Sequence, residues 1–568
     1  MIPVKYKIKY PVLIFFAGIL LSCHGTRSPK DKALVTDPMQ MDQQTAVEIR
    51  TAVDYADKTN GKVDDSIQLS LSGPVGSFYR ATDHHAFWSS QEKWLPLADS
   101  LYQYMDHAEY SGLFKDDYHF THLRSLKEKM DRDSLKRTDA ALWTRADLML
   151  TDGLMHIMKD LKRGRLRQDS LRQFKDSMLT DEFFLSNLKT LSDKKQFSSL
   201  LHSLEPDIKG YQELKKGIPA FLDSMDRKKY TYVTYPYKKG NAKDSIQFIQ
   251  TLQQRLGESG FMSNSPGTMD SSGLKAVISA YQKMKGLTAD GKVSTALMRS
   301  LNTSDLERFR RIAITLDRYK LLPDKMPERY IWVNLPGFYL RVYDHDTVAL
   351  ESKIICGKPD TRTPQLSSQI TDMVTYPTWT VPNSIIVKSY LPKLKHNPNY
   401  ISRIGLKVVN SDGETVDPTT INWGKYKRGI PFKVMQASGD NNALGVLKFN
   451  FNNKYAVYLH DTNQRYLFKN AFRALSHGCV RVQEWQKLAN YIARNDSINR
   501  PAQVQLQYNT DSIRTWIAEK VRHRIDIRNQ VSLFIRYFTC EGINGRIRFY
   551  DDIYGEDKLL REKYFTGK

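Results

Sequence analysis

The chain has 568 residues, of which 85 are lysine or arginine and 62 are aspartate or glutamate, giving a formal net charge of +23. This length exceeds what one hydrophobic core supports and predicts about three to four domains, and the ordinary apolar content excludes a low-complexity protein. The excess positive charge favours an anionic partner or surface, such as nucleic acid, membrane head groups or an acidic polymer.

The N-terminus selects among these partners. Lys5, Lys7 and Lys9 precede an apolar run over 12–21 that is too short to span a bilayer comfortably and is typical of a secretory signal peptide. The segment "LLSC" resembles a bacterial lipobox, which predicts a signal peptide over 1–23 and a lipid anchor on Cys23; an uncleaved anchor helix is the alternative. Both interpretations export the chain, so we expect an envelope polymer and not nucleic acid.

A helical region is predicted next. Residues 24–76 are polar without apolar periodicity and predict a flexible tether that holds the folded part away from a membrane. From 77 to 240 the pattern becomes helical, first in "WLPLADSLYQYMDHAEYSGL" and then in "LWTRADLMLTDGLMHIMKDLKRGRL". Their apolar stripes predict the core of a helical scaffold domain.

A separate small unit is predicted over 241–303. Leu274, Val277, Ile278 and Tyr281 follow helical spacing, and glycines separate three candidate helices. The segment "LQQRLGESGF…LKAVISAYQKMKGLTADGKVSTALMRSL" resembles the three-helix peptidoglycan-binding domain of wall enzymes, although a three-helix spacer would share its pattern. Residues 304–328 predict a linker helix.

From 329 to 508 the sequence predicts a β-rich domain. "YIWVNLPGFYLRVYDHDTVALESKIICG" alternates apolar and polar residues between turn signals, as antiparallel strands do. A part-helical insert at about 388–427 interrupts this pattern, and long inserts in compact domains are often lids. Residues 509–568 predict a helix and then a hairpin of "QVSLFIRYFT" with "RIRFYDD".

The chemistry concentrates in "YLHDTNQRYLFKNAFRALSHGCVRV". Cysteine catalysis needs a thiolate, a base and oxyanion donors. Cys479 lies in a turn beside Gly478, and His460 ends an apolar strand with Asp461 next to it as an orienting acceptor. A zinc site formed by these groups and His477 is the alternative, but it lacks the CxxC or HxxxH spacing typical of such sites.

The other cysteines have no identifiable histidine partner. With Cys23 lipidated, three cysteines remain, an odd number that leaves at least one thiol unpaired within the chain. Cys356 and Cys540 are expected to be buried free thiols, and a disulfide between them stays open at this stage.

The order H-D-T…S-H-G-C-V-R is similar to the active-site signature of the L,D-transpeptidases, in particular the large lid-bearing members of the Gram-negative envelope. The resemblance implies a multidomain α+β architecture. It comprises a helical scaffold region, a three-helix peptidoglycan-binding-like domain and a β-rich L,D-transpeptidase catalytic domain with an inserted lid.

The resemblance also implies roles for residues. Cys479 would be the nucleophile and His460 the general base, with oxyanion amides from Gly478 and Cys479. Pocket-forming positions are Ser476, His477 and Asp461, and substrate-binding positions are Arg481, Tyr458, Trp379, Asn442 and Trp423.

The implied reaction forms 3–3 peptidoglycan crosslinks through an acyl-cysteine, using tetrapeptide stems and releasing D-alanine, without a metal, nucleotide or organic cofactor. The implied partners are stem peptides and glycan on the periplasmic side of the envelope, a lipid anchor in the membrane and no nucleic acid, and carbapenems are implied to acylate the same cysteine. Three alternatives stay open: hydrolysis as a carboxypeptidase or endopeptidase, attachment of an envelope protein's lysine to the stem, and wall binding with a silent site.

Overall fold

The computed structural model describes residues 29, 31–166, 179–235, 242–262, 271–498 and 508–565. The chain divides into two compact units, one of which holds 116–157, 179–197 and the described residues up to 106, and the other the rest. The predicted signal peptide and the lipid anchor on Cys23 lie outside the described residues. No helix within the described ranges combines the length and apolar character needed to cross a membrane.

The first unit is helical with one short strand pair. Its elements are α1 (Met41–Lys58), α2 (Ser72–Ala81), β1 (Ser89–Ser90), β2 (Lys93–Trp94), α3 (Pro96–Asp106), α4 (Phe120–Arg132), α5 (Ser134–Arg137), α6 (Ala140–Arg163), which continues into the second unit, and α7 (Asp181–Lys194). The predicted apolar stripe of α6 is buried, including Leu150, Leu154 and Leu161. The helical interpretation of this region is confirmed.

The predicted tether over 24–76 is wrong for the described residues. Helix α1 buries Ile49, Ala52, Val53 and Ala56, which follow the spacing i, i+3, i+4, i+7. Polar residues outnumber these few small apolar ones, so the low mean hydropathy of the segment concealed an amphipathic helix.

The second unit begins with helices and ends in a large sheet. Its helices are α8 (Phe197–Leu204), whose first residue belongs to the first unit, α9 (Lys209–Asp223), α10 (Ala242–Glu258), α11 (Ser271–Met284), α12 (Thr295–Leu301), α13 (Asp305–Tyr319), α14 (Asn383–Ile385), α15 (Leu391–His396), α16 (Tyr400–Arg403), α17 (Trp485–Ser497), α18 (Thr510–Ala518) and α19 (Glu556–Tyr564). Helices α10, α11 and α12 share a small core of their own, as the three-helix prediction required.

The linker helix predicted over 304–328 is present as α13, but it packs against the β-rich part of the chain and is not an exposed connection. Its Phe309, Ile312 and Leu316 are almost fully buried. They pack in one cluster with Tyr211 of α9 and Trp332 of the sheet. Helix α9, which was assigned to the scaffold over 77–240, therefore shares its core with the β-rich part of the chain.

The strands of the second unit are β3 (Arg329–Asn334), β4 (Tyr339–Asp344), β5 (Thr347–Gly357), β6 (Leu366–Thr375), β7 (Trp379–Thr380), β8 (Lys407–Val409), β9 (Thr415–Val416), β10 (Lys433–Gln436), β11 (Leu447–Phe451), β12 (Leu459–His460), β13 (Ala474–Ser476), β14 (Val480–Val482), β15 (Arg524–Asp526), β16 (Ser532–Arg536), β17 (Cys540–Ile543) and β18 (Arg546–Phe549). The main sheet runs β11-β12-β14-β5-β4-β3-β16-β6, and β6 also pairs with β11. This last pairing closes the sheet into a barrel around the main apolar core.

The C-terminal region completes this barrel. Strand β16 pairs in parallel with β3 and antiparallel with β6, so the sheet also includes a strand that follows the predicted domain boundary at 508. The predicted hairpin is shorter than expected and consists of β17 and β18 alone, turning at Asn544 and Gly545, both at positive φ. Strand β16 is buried on both faces at Leu533, Phe534 and Ile535, which explains its continuous apolar run.

The insert is a subdomain with its own sheet and core. Strands β7, β10, β8 and β9 pair in that order, and Trp379 of β7 lies opposite Gln436 of β10. The subdomain therefore spans 379–436, wider than the predicted 388–427, because its flanking segments pair with each other. Leu394, Ile401 and Val434 lie at the centre of its apolar core.

Candidate active site

Three adjacent strands place the candidate residues in one row. Lys448 of β11 lies opposite His460 of β12, and His460 lies opposite Arg481 of β14. Cys479 directly precedes β14. The amide of Val480 donates a hydrogen bond to the carbonyl of Tyr458 at 3.1 Å. The sheet thus brings the thiol and the imidazole to neighbouring strand ends, as the sequence predicted.

The turn that carries Cys479 is held by Ser476. The Ser476 hydroxyl donates to the carbonyl of Cys479 at 2.6 Å and accepts the amide of Gly478 at 3.1 Å. Gly478 has φ +126°, a conformation that favours glycine. Its amide donates inside the turn in this conformation, and its role as an oxyanion donor stays a prediction.

His460 is buried and oriented by the main chain. Its Nδ1 donates to the backbone carbonyl of Asp461, which leaves Nε2 with a free lone pair. Burial and the nearby Arg481 guanidinium lower the pKa of His460 to about 3. The imidazole is therefore neutral near pH 7 and able to accept a proton at Nε2.

The Asp461 carboxylate serves a different purpose from its carbonyl. It accepts hydrogen bonds from Arg465 Nη2 at 2.5 Å and from the amide of Val446 at 3.0 Å. A Cβ on Gly445, which has φ +62°, would come within 2.3 Å of this carboxylate. Asp461 therefore fixes the loop before β11, while its carbonyl orients the histidine.

The Cys479 thiol is largely enclosed. Burial raises its pKa above the ordinary value, and hydrogen bonds from the amide and hydroxyl of Tyr458, with the charges of Lys448 and Arg481, oppose that rise. Within the described residues the sulfur hydrogen-bonds with Tyr458 and not with His460. The resting site is accordingly a neutral thiol beside a neutral imidazole.

Tyr458 links the thiol to the insert. Its hydroxyl hydrogen-bonds with the Trp379 side chain of β7 as well as with Cys479, and burial raises its pKa well above the usual range. Its ring meets the His460 ring edge-on at 5.8 Å between centroids. Of the predicted substrate-binding positions, Tyr458 and Trp379 therefore lie at the thiol.

Arg481 has unused hydrogen-bonding capacity. Its Nη1 donates to Gln464 at 3.0 Å, whereas its buried Nε has no hydrogen-bond partner among the described atoms. No carboxylate within the described ranges forms an ion pair with it. The guanidinium therefore keeps a buried donor that no described group satisfies.

Two predicted substrate-binding residues are placed elsewhere. Trp423 is only 2% exposed in the core of the insert, with its indole N–H donating to Pro418 at 2.8 Å. Asn442 is 2% exposed and uses its amide to close a loop through Ala437 and Leu444. Both predictions of substrate contact are wrong, because burial and internal hydrogen bonds occupy these side chains.

His477 faces outward toward the insert. The Ser389 hydroxyl lies 3.4 Å from its Nε2. Ser389 belongs to a π-helical turn, Ile386–Tyr390, an uncommon element often found at functional sites. The insert therefore touches the nucleophile's turn through an exposed side chain.

Cys356 and Cys540 are more deeply buried than Cys479. Cys356 and Cys540 are free and fully buried, and burial raises the pKa of each to about 12. Across the described ranges no group of three or more His, Cys, Asp and Glu side chains is arranged to hold a metal ion.

Lys448 was missed at the sequence level. Its ammonium lies 4.0 Å from the centre of the Tyr458 ring, and burial lowers its pKa while the negative charge of a Cys479 thiolate opposes that fall. The only signal was a single cation inside the apolar strand "GVLKFNF".

Comparisons with known families agree with the predicted order of domains. Residues 74–218 match a scaffold domain, residues 246–301 a peptidoglycan-binding domain, and residues 328–504 the L,D-transpeptidase catalytic domain.

The chain is also similar to individual L,D-transpeptidases, each over part of its length. A Haemophilus influenzae protein named as an L,D-transpeptidase is 34% identical over 250 residues, covering 44% of this chain and 48% of its own. The chain thus spans about half the length of that curated relative. A solved L,D-transpeptidase from Mycobacterium smegmatis is 10% identical, covering 37% of this chain and 58% of its own with a TM-score of 0.18. One from Stackebrandtia nassauensis is 13% identical, covering 54% and 97% with a TM-score of 0.15.

Proposed function

From a chain that contains an L,D-transpeptidase catalytic domain together with scaffold and peptidoglycan-binding domains, we propose an enzyme that forms 3–3 peptidoglycan crosslinks in the cell envelope. The observation that carries this proposal is the juxtaposition of Cys479, on its braced turn, with the neutral His460 one strand away.

The proposed reaction has two steps. His460 Nε2 accepts the Cys479 proton, and the thiolate attacks the carbonyl of the third residue of a tetrapeptide stem. The amide bond to D-alanine breaks, the leaving amine takes the proton from His460, and a thioester to Cys479 remains. The side-chain amine of a second stem then attacks the thioester, passes its proton to His460 and regenerates the thiol.

The geometry supports particular groups around the developing oxyanion. The Tyr458 hydroxyl already contacts the sulfur, and a neutral phenol can donate there. The Cys479 amide stays a candidate donor, whereas the Gly478 amide is engaged with Ser476. Arg481 offers its unpaired Nε to a stem carboxylate.

The insert over 379–436 is proposed as a lid. Its Ser389 touches His477 and its Trp379 touches Tyr458, so two of its segments border the thiol. A mobile cover of this kind can exclude water after acylation and so favour the amine over hydrolysis. The lipid anchor on Cys23 and a periplasmic location are part of the same proposal and follow from the N-terminal sequence.

Product analysis tests the proposal. The full chain is incubated with purified disaccharide-tetrapeptide, and products are separated and weighed by mass spectrometry, with Cys479→Ala and His460→Gln as matched variants. We expect crosslinked dimers and free D-alanine from the wild type alone. Tripeptide without dimers would instead indicate a carboxypeptidase. No product from folded protein would favour the wall-binding alternative.

A further inference from the structure

Lys448 occupies an unusual position for a lysine. It alternates with the buried Leu447 and Phe449 on β11 and directly faces His460 across the strand pair. Its ammonium lies over the Tyr458 ring at 4.0 Å, and Tyr458 in turn contacts the Cys479 sulfur. The cation is therefore built into the wall of the thiol pocket.

No counter-ion neutralises this cation within hydrogen-bonding range. Among the described residues Lys448 forms no ion pair, and the acidic groups that act on it are the Cys479 thiol and, more weakly, Asp372 of β6. Asp372 is itself engaged with Asn450 at 2.6 Å and with Arg524 at 3.6 Å. A half-buried ammonium without a direct carboxylate partner is costly unless a negative charge develops nearby.

We propose that Lys448 is an electrostatic positioning residue that stabilises the Cys479 thiolate while His460 holds the proton that the thiol has released. The inference rests on the proposed role of Cys479 as nucleophile. Lys448 would then be the second cation of the site besides Arg481, and the two residues lie on opposite sides of His460 in the same row.

The charges around the site agree with this assignment. Lys448 and Arg481 both lower the pKa of the Cys479 thiol, and both also lower the pKa of His460. The two cations therefore favour the thiolate, and they make the His460 imidazolium a stronger acid that readily gives its proton to the leaving D-alanine amine. Once the proton of Cys479 has left with the D-alanine amine, a neutral His460 is ready to accept the proton of the incoming acceptor amine.

The test is the pH dependence of Cys479 alkylation by iodoacetamide in the full chain, followed by intact mass, which requires no turnover. Lys448→Met removes the charge and keeps the apolar stem, so the midpoint of thiol titration should rise by about one pH unit and the thiolate fraction at pH 8 fall about tenfold. Lys448→Arg keeps a positive charge and should restore most of the wild-type midpoint.

Lys454→Met is the matched control, because Lys454 lies over Tyr455 at 5.4 Å but is exposed. Its thiol midpoint should equal that of the wild type. An unchanged midpoint in folded Lys448→Met would overturn the inference, as would an equal rise in the Arg variant. Lys448→Gln replaces Met if that variant does not fold. The alkylation measurement does not depend on crosslinking activity. If the wild type formed no crosslinks, the proposed function would be refuted, but the effect of Lys448 on the thiol could still be measured.

Discussion

The hydroxyl of Ser476 and the carbonyl of Cys479 are joined by a 2.6 Å hydrogen bond, so the turn that presents the nucleophile closes on itself. The carbonyl of Ser476 is held in turn by the amide of Lys358 at 3.0 Å and the hydroxyl of Thr361 at 3.1 Å. The backbone of this turn is consequently held by hydrogen bonds to the segment that follows β5.

Ser476→Ala removes both hydrogen bonds inside this turn. We expect the free energy of unfolding to fall by about 1–2 kcal/mol, since two buried partners lose their hydrogen bonds. Acylation of Cys479 should slow by about tenfold to a hundredfold because the sulfur is less well placed. Chemical denaturation and acylation kinetics measure the two effects, with the exposed Ser497→Ala as control. Unchanged acylation would show that the turn holds its shape without Ser476.

Asp461→Ala tests the loop before β11. The substitution removes the acceptor for Arg465 and for the Val446 amide in a fully buried place. We expect a loss of about 1–3 kcal/mol in the free energy of unfolding and slower acylation, because the carbonyl that orients His460 becomes less fixed. The matched variant Arg465→Met should cost less, since Arg465 is largely exposed. Equal losses would contradict the assigned role of the carboxylate.

Stability should depend on pH through His460. Its pKa is lowered from 6.5 to about 3 in the folded chain, so below pH 6.5 the unfolded chain binds a proton that the folded chain does not. The free energy of unfolding should therefore fall as pH drops from about 6.5 toward about 3. Urea denaturation across the upper part of this window should show a shallower fall in His460→Gln. Parallel curves would mean that His460 is not buried in its neutral form.

Trp423→Ala separates a core role from substrate contact. Loss of this buried indole should destabilise the insert by about 3–5 kcal/mol and leave the barrel folded, because the insert has its own core. Hydrogen exchange should then increase over 379–436 and stay unchanged in β3 to β6. Trp423→Phe, which keeps a ring, should be milder. Normal protection in the insert together with weaker substrate binding would restore the substrate-contact interpretation.

The parts of the site that the sequence revealed are those close together in the chain. His460, Asp461 and the turn at Cys479 lie in one motif whose resemblance to a known signature predicted their proximity, and the parallel pairing of β12 with β14 brings them together. The place of Lys448 in the site was not predicted, because it depends on the pairing of β11 with β12. Patterns in a single sequence do not specify which strands pair. The pairing of β16 within the main sheet was not predicted for the same reason, since its partner strands lie far away in sequence.

The wrong predictions of substrate contact have a different cause. Trp423 and Asn442 have the side chains that bind substrates, but the same side chains also fill cores and close loops. Sequence distinguishes these uses only when burial is known. The amphipathic α1 was hidden in a similar way, since small apolar residues at helical spacing contribute little to mean hydropathy.

The most direct test of the central claim, that Cys479 is the acyl-transfer nucleophile, is intact mass and peptide mapping after incubation with a carbapenem. We expect one adduct per chain, located on Cys479 and absent from Cys479→Ala, with Cys356 and Cys540 unmodified because both are buried. An adduct that persists in Cys479→Ala, or no adduct on folded wild-type protein, would contradict it.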